Sequence, residues 1–494
     1  MPLPPTGLPV ELLVDQLAAA LGEHHMAVLQ AEPGAGKTTV VPLRLLEAGW
    51  LGDTRIVVLE PRRVAARAAA RRMAAMLGEE PGDTVGWVTR DDRCVGPATR
   101  VEIVTEGVLT ARLVNDPELR GVGLVVFDEF HERSLPGDTG LALALHARRA
   151  GLLGARLLVM SATIDTERIA AHLGDDDPVP VFSSPGRTHP VDIRWRPRKR
   201  KDRLVPAMTA AITDALRRHD GDVLAFLPGV GEIIGTERAL AGELGPDGPA
   251  VLSLHGSLPA AEQDAALVPR GSRRIVLATD LAETSLTVEG IGIVVDSGLA
   301  RAPRYDAATG MTALTTVPIS KASAEQRAGR AGRLGPGVAV RLWSKVEQGS
   351  RPAHRPAEIE QVDLAGLVLD LARRGLTDPT QVPFLDPPPP SAWADAVELL
   401  GEIGAMDPDG HPTEVGVAMA ALPAHPRLAR LVVAGRHRWL GCVLAALLDE
   451  RDVLRGRPAD LPADLGERVA LCLLYTSPSP RDPLRSRVCR LVLE

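Results

Sequence analysis

The chain has 494 residues, 45% of them hydrophobic, 24% charged and 3% aromatic, with a formal charge of −7. This length exceeds one ordinary core, and the composition excludes a largely disordered chain and a uniformly basic nucleic-acid coat while leaving room for local basic grooves. Four cysteines without a CxxC pair give neither a disulfide framework nor a zinc site, and no apolar run reaches the ~20 residues of a membrane span, so a cytoplasmic protein is expected.

Along the first third, Ala27–Gln30, Arg55–Leu59, Val101–Val104, Leu124–Phe127 and Arg156–Met160 read as buried parallel strands. Ala-rich amphipathic stretches such as Val64–Leu77 lie between them. The first strand runs into Gln30-Ala31-Glu32-Pro33-Gly34-Ala35-Gly36-Lys37-Thr38-Thr39, a glycine-rich loop opening a helix. Gly34 and Gly36 let backbone N–H groups close around phosphate oxygens, and the helix N-terminus favours negative charge. Lys37 is one of only five lysines among 56 basic side chains. It can reach the β- and γ-phosphates, and the Thr38 hydroxyl can ligate Mg²⁺. Ala31 stands where the usual Gly-x-x-x-x-Gly-Lys-Thr string begins with glycine.

The fourth strand ends in Asp128-Glu129-Phe130-His131-Glu132-Arg133. Alone, a strand followed by charges is a common surface turn. Downstream of a phosphate loop in the same sheet, Asp128 suits Mg²⁺ binding and Glu129 suits orienting and deprotonating a water. Nucleoside-triphosphate chemistry is therefore expected in this lobe.

A second set of strands begins near Val191 and continues with Val223–Phe226, Val251–Leu254, Arg274–Ala278, Ile293–Val295 and Val338–Leu342. The fold class is α/β with two consecutive lobes, meeting near Ser183-Ser184-Pro185-Gly186. After Gly349 the pattern is helical, interrupted by the rigid Pro387–Pro390, with helices over Ala392–Ile403 and His425–Leu448. Gln326-Arg327-Ala328-Gly329-Arg330-Ala331-Gly332-Arg333 places arginines three apart on one side of a helix, where their planar groups suit the charge of a transferring phosphoryl group. An exposed Arg-rich helix is the structural alternative.

Taken together these strings resemble superfamily 2 helicases, and Asp128-Glu129-Phe130-His131 resembles the DEAH-box branch with Phe130 in place of the usual alanine. Pro61–Arg67, Thr105-Glu106-Gly107, Ser161-Ala162-Thr163 and Ala278–Ser285 fit the remaining motifs in order. Phe130, the loop from Ala31 to Thr38 and Phe384–Pro390 are most similar to the bacterial HrpB subgroup, over residues from about 10 to 470. The resemblance implies two tandem RecA-like P-loop lobes (1–183 and 184–349), a winged-helix-like segment (350–420) and the start of a helical bundle (421–471).

It further implies that Gly34, Ala35, Gly36, Lys37, Thr38 and Thr39 bind ATP, that Thr38 and Asp128 hold Mg²⁺, and that Glu129 handles the water. Gln326 would help position that water, with Arg330 and Arg333 as finger residues and Ser161 and Thr163 coupling nucleotide state to lobe movement. Arg62, Arg63, Thr105, Thr284 and Ser285, with the turn Phe226–Gly229, would contact the sugar-phosphate backbone. Such contacts carry no sequence information. Arg301–Thr316, turning at Asp306–Gly310, resembles the strand-separating hairpin of this branch. The basic run Arg194–Lys201 is either a solvated face or an RNA contact. Arg72 is expected on one side of the base, and the opposite position near Leu267 holds no aromatic.

The expected activity is ATP-driven 3′-to-5′ translocation on single-stranded nucleic acid. The resemblance favours RNA; a DNA helicase and a nucleotide-switched RNA clamp remain open on the residues alone. Membrane association is not expected, and protein partners are not indicated. Cys472–Asp482 resembles a translated sequencing adaptor, so residues after 471 are expected to be foreign to the native chain.

Overall fold

The computed structural model describes residues 5–32, 34–90, 92–162, 165–174, 177–184, 189–199, 201–245, 248–269, 271–283, 288–306, 311–435, 437–449, 454 and 461–475. Thr163, Thr284, Ser285, the hairpin turn at 307–310, most of the adaptor-like tail and the Pro185-Gly186 half of the expected lobe boundary lie outside them.

Among the described residues sixteen strands follow in chain order: β1 Met26–Ala31, β2 Arg55–Glu60, β3 Val85–Val88, β4 Arg93–Cys94, β5 Val101–Thr105, β6 Val122–Phe127, β7 Arg156–Ser161, β8 Val181–Ser184, β9 Val191–Trp195, β10 Asp222–Phe226, β11 Ala250–Leu254, β12 Arg274–Ala278, β13 Ile291–Asp296, β14 Leu299–Asp306, β15 Met311–Pro318 and β16 Gly337–Arg341. They form an eight-stranded sheet ordered β4-β3-β5-β2-β6-β7-β1-β8, a six-stranded sheet ordered β11-β12-β10-β13-β16-β9, and the hairpin β14-β15. Pairings are parallel except β3 with β4 and β14 with β15. Every residue of Ile56–Glu60 and of Val101–Thr105 is buried. Helices cover both faces of a parallel sheet, so such strands read as continuous apolar runs. The core beneath the first sheet is mostly Ala, Val and Leu, with Ile56, Ile103, Met73, Met160 and Trp87 among them.

β3, β4 and β8 carry no such signature. β3 is interrupted by Gly86, where a Cβ would run into the Cys94 carbonyl of its neighbour. β8 is an edge strand with only Ser184 buried. One helix expected over His425–Leu448 is two, Pro426–Ala434 and Arg438–Asp449. The break falls at Gly435, which leaves the helical region at φ −70°, ψ 129°. The arginine motif is likewise not one α-helix: Lys321–Gly329 passes into a 3₁₀ turn, Arg330–Gly332.

Contacts divide the chain into two units. The first, 1–361 with 384–386, contains both sheets; the second, 362–383 with 387–494, is helical. In the second unit, helices Ala365–Ala372, Pro390–Glu402 and Glu414–Ala420 precede the pair just named. Pro390 occupies the first helical position, where its missing N–H costs nothing. His425 Nε2 lies 3.0 Å from Asp363 Oδ1 and ties the start of one helix to the opening of the unit. Among the described residues no helix is long and apolar enough to cross a membrane.

Candidate active site between the two lobes

Parallel strands deliver their C-terminal ends to one edge, which is where ligands bind in such sheets. The loop after β1 turns through Gly34 and Gly36 at φ +91° and +95° and opens the helix Lys37–Leu45. Gly36 has no room for a side chain: a Cβ there would lie 2.9 Å from Leu8 and 3.2 Å from Val10. The Val10 amide donates to the Ala35 carbonyl at 3.3 Å, so the N-terminal segment braces the loop from behind.

Two strands away in the sheet, β6 ends at Asp128 and Glu129. Glu129 has left-handed backbone, φ +50°, which turns its carboxylate back towards the loop. Lys37 is buried, with its ammonium 2.6 Å from Glu129 and 3.4 Å from Asp128. Burial opposes its charge, but the two carboxylates more than offset that and raise its pKa to about 12. The Thr38 hydroxyl donates to Asp128 Oδ2. Burial holds His131 below its ordinary pKa, so the ring is neutral. Its Nδ1 accepts from the Ala162 amide at 3.4 Å and faces Glu129 at 3.5 Å, joining the acidic tip to the segment after Ser161. Ser161 itself is buried at the end of β7.

The second lobe supplies the opposite wall. Arg333 lies 3.9 Å from where a Cβ on Gly34 would stand. Arg330 is buried, its Nε donating to the Glu283 carbonyl at 2.9 Å. Burial and the neighbouring Arg333 press against its charge, with Glu129 and Glu283 opposing them. Burial likewise lowers Arg333 to about 10. Gln326, Arg330 and Arg333 line a cleft of about 700 Å³ with Gln30, Glu32 and Ala162 from the first lobe. The buried Gln326 Nε2 has no hydrogen-bond partner among the described residues.

Arg327 plays a different part from the other two arginines. It donates to Glu283 at 2.8 Å, Asp296 at 3.0 Å and the Leu299 carbonyl at 3.2 Å, and stacks 4.8 Å from the Phe226 ring. It braces the second lobe, whereas Arg330 and Arg333 serve the cleft.

Arg62, expected on the nucleic acid, pairs with Glu132 at 3.3 Å and with Asp280 of the second lobe at 3.4 Å. Arg63 is exposed beside it, and Thr105 is buried at the N-cap of helix Glu106–Asn115. Arg72 is exposed, whereas Leu267 packs on the second-lobe core together with Val64 and Ala68. In the basic run, Arg194 pairs with Asp192 and Arg196 with Asp214. These exposed pairs are the contacts of a solvated face.

Three carboxylates here were not singled out from the sequence. Glu60, buried at the end of β2, is raised well above the carboxylate range by burial and by Asp128 and Glu129. Glu283 holds Arg327 with its carboxylate and Arg330 with its backbone carbonyl. Asp386 accepts from both Arg133, just past the acidic tip, and Arg168, which follows the Ser161 segment. Only the spacing of Phe384–Pro390 hinted at the last.

Glu106 yields a pH prediction. Burial, helped by Glu132, Glu358 and Asp138, raises it from 4.5 to about 8 against the Ser134 hydroxyl, which donates to it and pulls it down. A carboxyl raised in the folded state stabilises fully below its unfolded pKa and loses that contribution as pH climbs through the folded value. Stability should therefore decline between about pH 4.5 and about pH 8. Glu106→Gln should flatten the decline in denaturant midpoint across that range. Equal slopes for both proteins would refute the assignment.

The donor set fits a nucleoside triphosphate with Mg²⁺. A glycine cradle, one ammonium, two guanidinium groups pressed by burial and a buried unpartnered amide suit phosphate oxygens. Thr38 and Asp128 are hard oxygen donors. No cluster of three His, Cys, Asp or Glu side chains among the described residues could hold a metal alone.

Comparison with known proteins agrees with this geometry. Residues 15–171 match the DEAD/DEAH box helicase family and residues 207–335 the helicase conserved C-terminal domain. The chain is 43% identical over 450 residues to the ATP-dependent RNA helicase HrpB of Escherichia coli K12, covering 90% of this chain and 55% of that protein. It is 36% identical over 473 residues to the same organism's ATP-dependent RNA helicase HrpA, covering 93% of this chain and 36% of the relative. The chain thus spans between about a third and just over half the length of these relatives. The crystal structure of Escherichia coli DEAH/RHA helicase HrpB superposes with a TM-score of 0.89 at 41% identity, covering 98% of this chain and 60% of that one. With two RecA-like lobes carrying the acidic tip and the arginine motif, the chain belongs to the DEAD/DEAH box helicases, in their HrpB-type branch.

Proposed function

We propose that the chain is an ATP-driven RNA motor, hydrolysing ATP between its lobes and moving 3′ to 5′ along a single strand. The observation that carries this reading is the convergence of Lys37, Thr38, Asp128 and Glu129 from one lobe with Gln326, Arg330 and Arg333 from the other. The domain reading follows with it: lobes over 1–183 and 184–349, a winged-helix-like segment over 350–420 and a bundle beginning at 421.

Lys37 now neutralises Glu129. On nucleotide binding it would turn to the β- and γ-phosphates, leaving Glu129 as a carboxylate able to take a proton from water. His131, neutral and tied to Ala162, packs beside that carboxylate without bonding to it, leaving an oxygen for the water. Gln326 donates to the same water, and Arg330 and Arg333 meet charge developing on the transferred group. Mg²⁺ held at Thr38 and Asp128 would neutralise phosphate charge. Because the arginines arrive from the second lobe, full catalysis requires closure, which links turnover to movement of two backbone-gripping surfaces. Arg62, Arg63, Thr105, Thr284 and Ser285 are assigned to that grip, with Ser161 and Thr163 as the coupling. On this reading Arg62 exchanges its Glu132 and Asp280 partners for a phosphate.

Titrating single-stranded RNA and DNA of equal length into an ATP turnover assay tests the substrate class. RNA should stimulate turnover and DNA should do so weakly. Equal stimulation would leave a motor without RNA preference.

A further inference from the structure

Among the described residues the hairpin β14-β15 joins neither sheet; its strands pair with each other from Leu299↔Pro318 to Asp306↔Met311, and near the far end the Tyr305 amide donates to the Gln361 carbonyl at 2.9 Å. Strands of eight residues give it a reach of roughly 26 Å at ~3.3 Å per residue. A two-stranded hairpin is marginal by itself, and angular play at its root is multiplied at its tip. A hairpin that separates strands must therefore be held at the root.

Arg351 holds it there. Its Nη1 donates to the Gly298 carbonyl at 3.0 Å and to the Ile319 carbonyl at 2.8 Å, the residues flanking the last strand pair on either side. The Ile319 amide closes the same root onto Gly298 at 3.1 Å. The guanidinium is stacked 4.4 Å from the centre of Trp343, a buried ring packed edge-on against Trp195. Gly298, at φ +73°, admits no side chain, because a Cβ would lie 2.5 Å from Trp343 and 2.6 Å from Arg351. The chain just after Arg351 then grips the adjoining helix: Pro352 and Ala353 carbonyls accept from the Lys321 and Ala322 amides at 2.9 and 3.1 Å. Those first-turn amides have no partner inside the helix. That helix carries Gln326 and leads straight into Arg330.

We propose that Arg351 is a positioning residue for strand separation, locking the hairpin to the helix of the arginine motif so that lobe closure swings the hairpin as a rigid lever. This rests on the RNA-motor reading above. Arg351 lines neither the nucleotide cleft nor any surface assigned to RNA, so its loss should uncouple the two activities.

The test compares Arg351→Ala, Arg351→Lys and Gly298→Ala with the unaltered chain, measuring RNA-stimulated ATP turnover and duplex strands released per ATP. A fourth variant shortens the hairpin by joining Pro303 to Leu314 through an Asn-Gly turn. Arg351→Ala and Gly298→Ala should keep turnover within about twofold while release per ATP falls roughly tenfold, the scale of losing charged hydrogen bonds and a cation–π contact. Arg351→Lys should recover part of it, since an ammonium reaches carbonyls but lacks the planar stack. Equal loss of turnover and release, or no loss of release in the alanine variant, would overturn the proposal. If the shortened hairpin still releases strands normally, the hairpin's role itself is wrong; if it fails while Arg351→Ala works, only the clamp is.

Discussion

Glu129→Gln is expected to lower RNA-stimulated ATP turnover by about 10³-fold while nucleotide still binds. The substitution preserves shape and removes one negative charge and one proton acceptor. Glu129 is buried and held in left-handed backbone between Lys37 at 2.6 Å and His131 at 3.5 Å, so no other carboxylate can take its place. Asp128 is close, but its oxygens are engaged by the Thr38 hydroxyl and the Glu129 amide. Glu60 is pushed well above the usual carboxylate range by burial and by the two neighbouring carboxylates. Lys37 keeps Asp128 as a partner in the variant, so the phosphate cradle should persist. Equilibrium binding of a fluorescent ATP analogue together with single-turnover hydrolysis checks both halves. Residual turnover within tenfold of the unaltered chain would place the base elsewhere.

Arg333→Ala is expected to cost about 10³-fold in turnover, the lower end of the range for an arginine supplied to a phosphoryl-transfer site. Arg333 is the guanidinium nearest the glycine cradle, and it is only partly buried, so truncation leaves little cavity. Arg333→Lys should restore little, because a point charge cannot bridge two phosphate oxygens as a planar fork does. Arg327→Ala provides the contrast. That side chain joins Glu283, Asp296 and the hairpin root, so its loss strands buried carboxylates and should lower thermal stability as well as turnover. The two variants separate by melting temperature: near normal for Arg333→Ala, clearly reduced for Arg327→Ala. A melting temperature equally depressed in both would mean that Arg333 is structural.

The central strands were legible because burial on both faces leaves apolar runs such as Ile56–Leu59 and Val223–Phe226. The phosphate loop and acidic tip were legible because their chemistry is local, within a few residues of a strand end. The edge strands β4 and β8 were hidden, since an edge needs no continuous apolar run, and β3, inside the sheet between β4 and β5, because Gly86 interrupts a strand of only four residues. Repeated spacing suggested one role for Arg327, Arg330 and Arg333. The change from α-helix to 3₁₀ turn after Gly329, and the acidic partners of Arg327, divide them. Arg351 and Asp386 were silent because their contacts close over long separations: Arg351 with Gly298, 53 residues away, and Asp386 with Arg133, 253 residues away. The break at Gly435 was missed because a single glycine within an apolar periodic pattern is often tolerated.

The most direct test of an ATP-driven RNA motor is strand release from an RNA duplex with a 3′ single-stranded tail, with ATP and with a non-hydrolysable analogue. Release with ATP alone, lost in Glu129→Gln and absent from a duplex tailed at the 5′ end, is the expected result. RNA-stimulated turnover without release from either duplex, or equal release with the analogue, would contradict the motor and leave a nucleotide-switched RNA clamp.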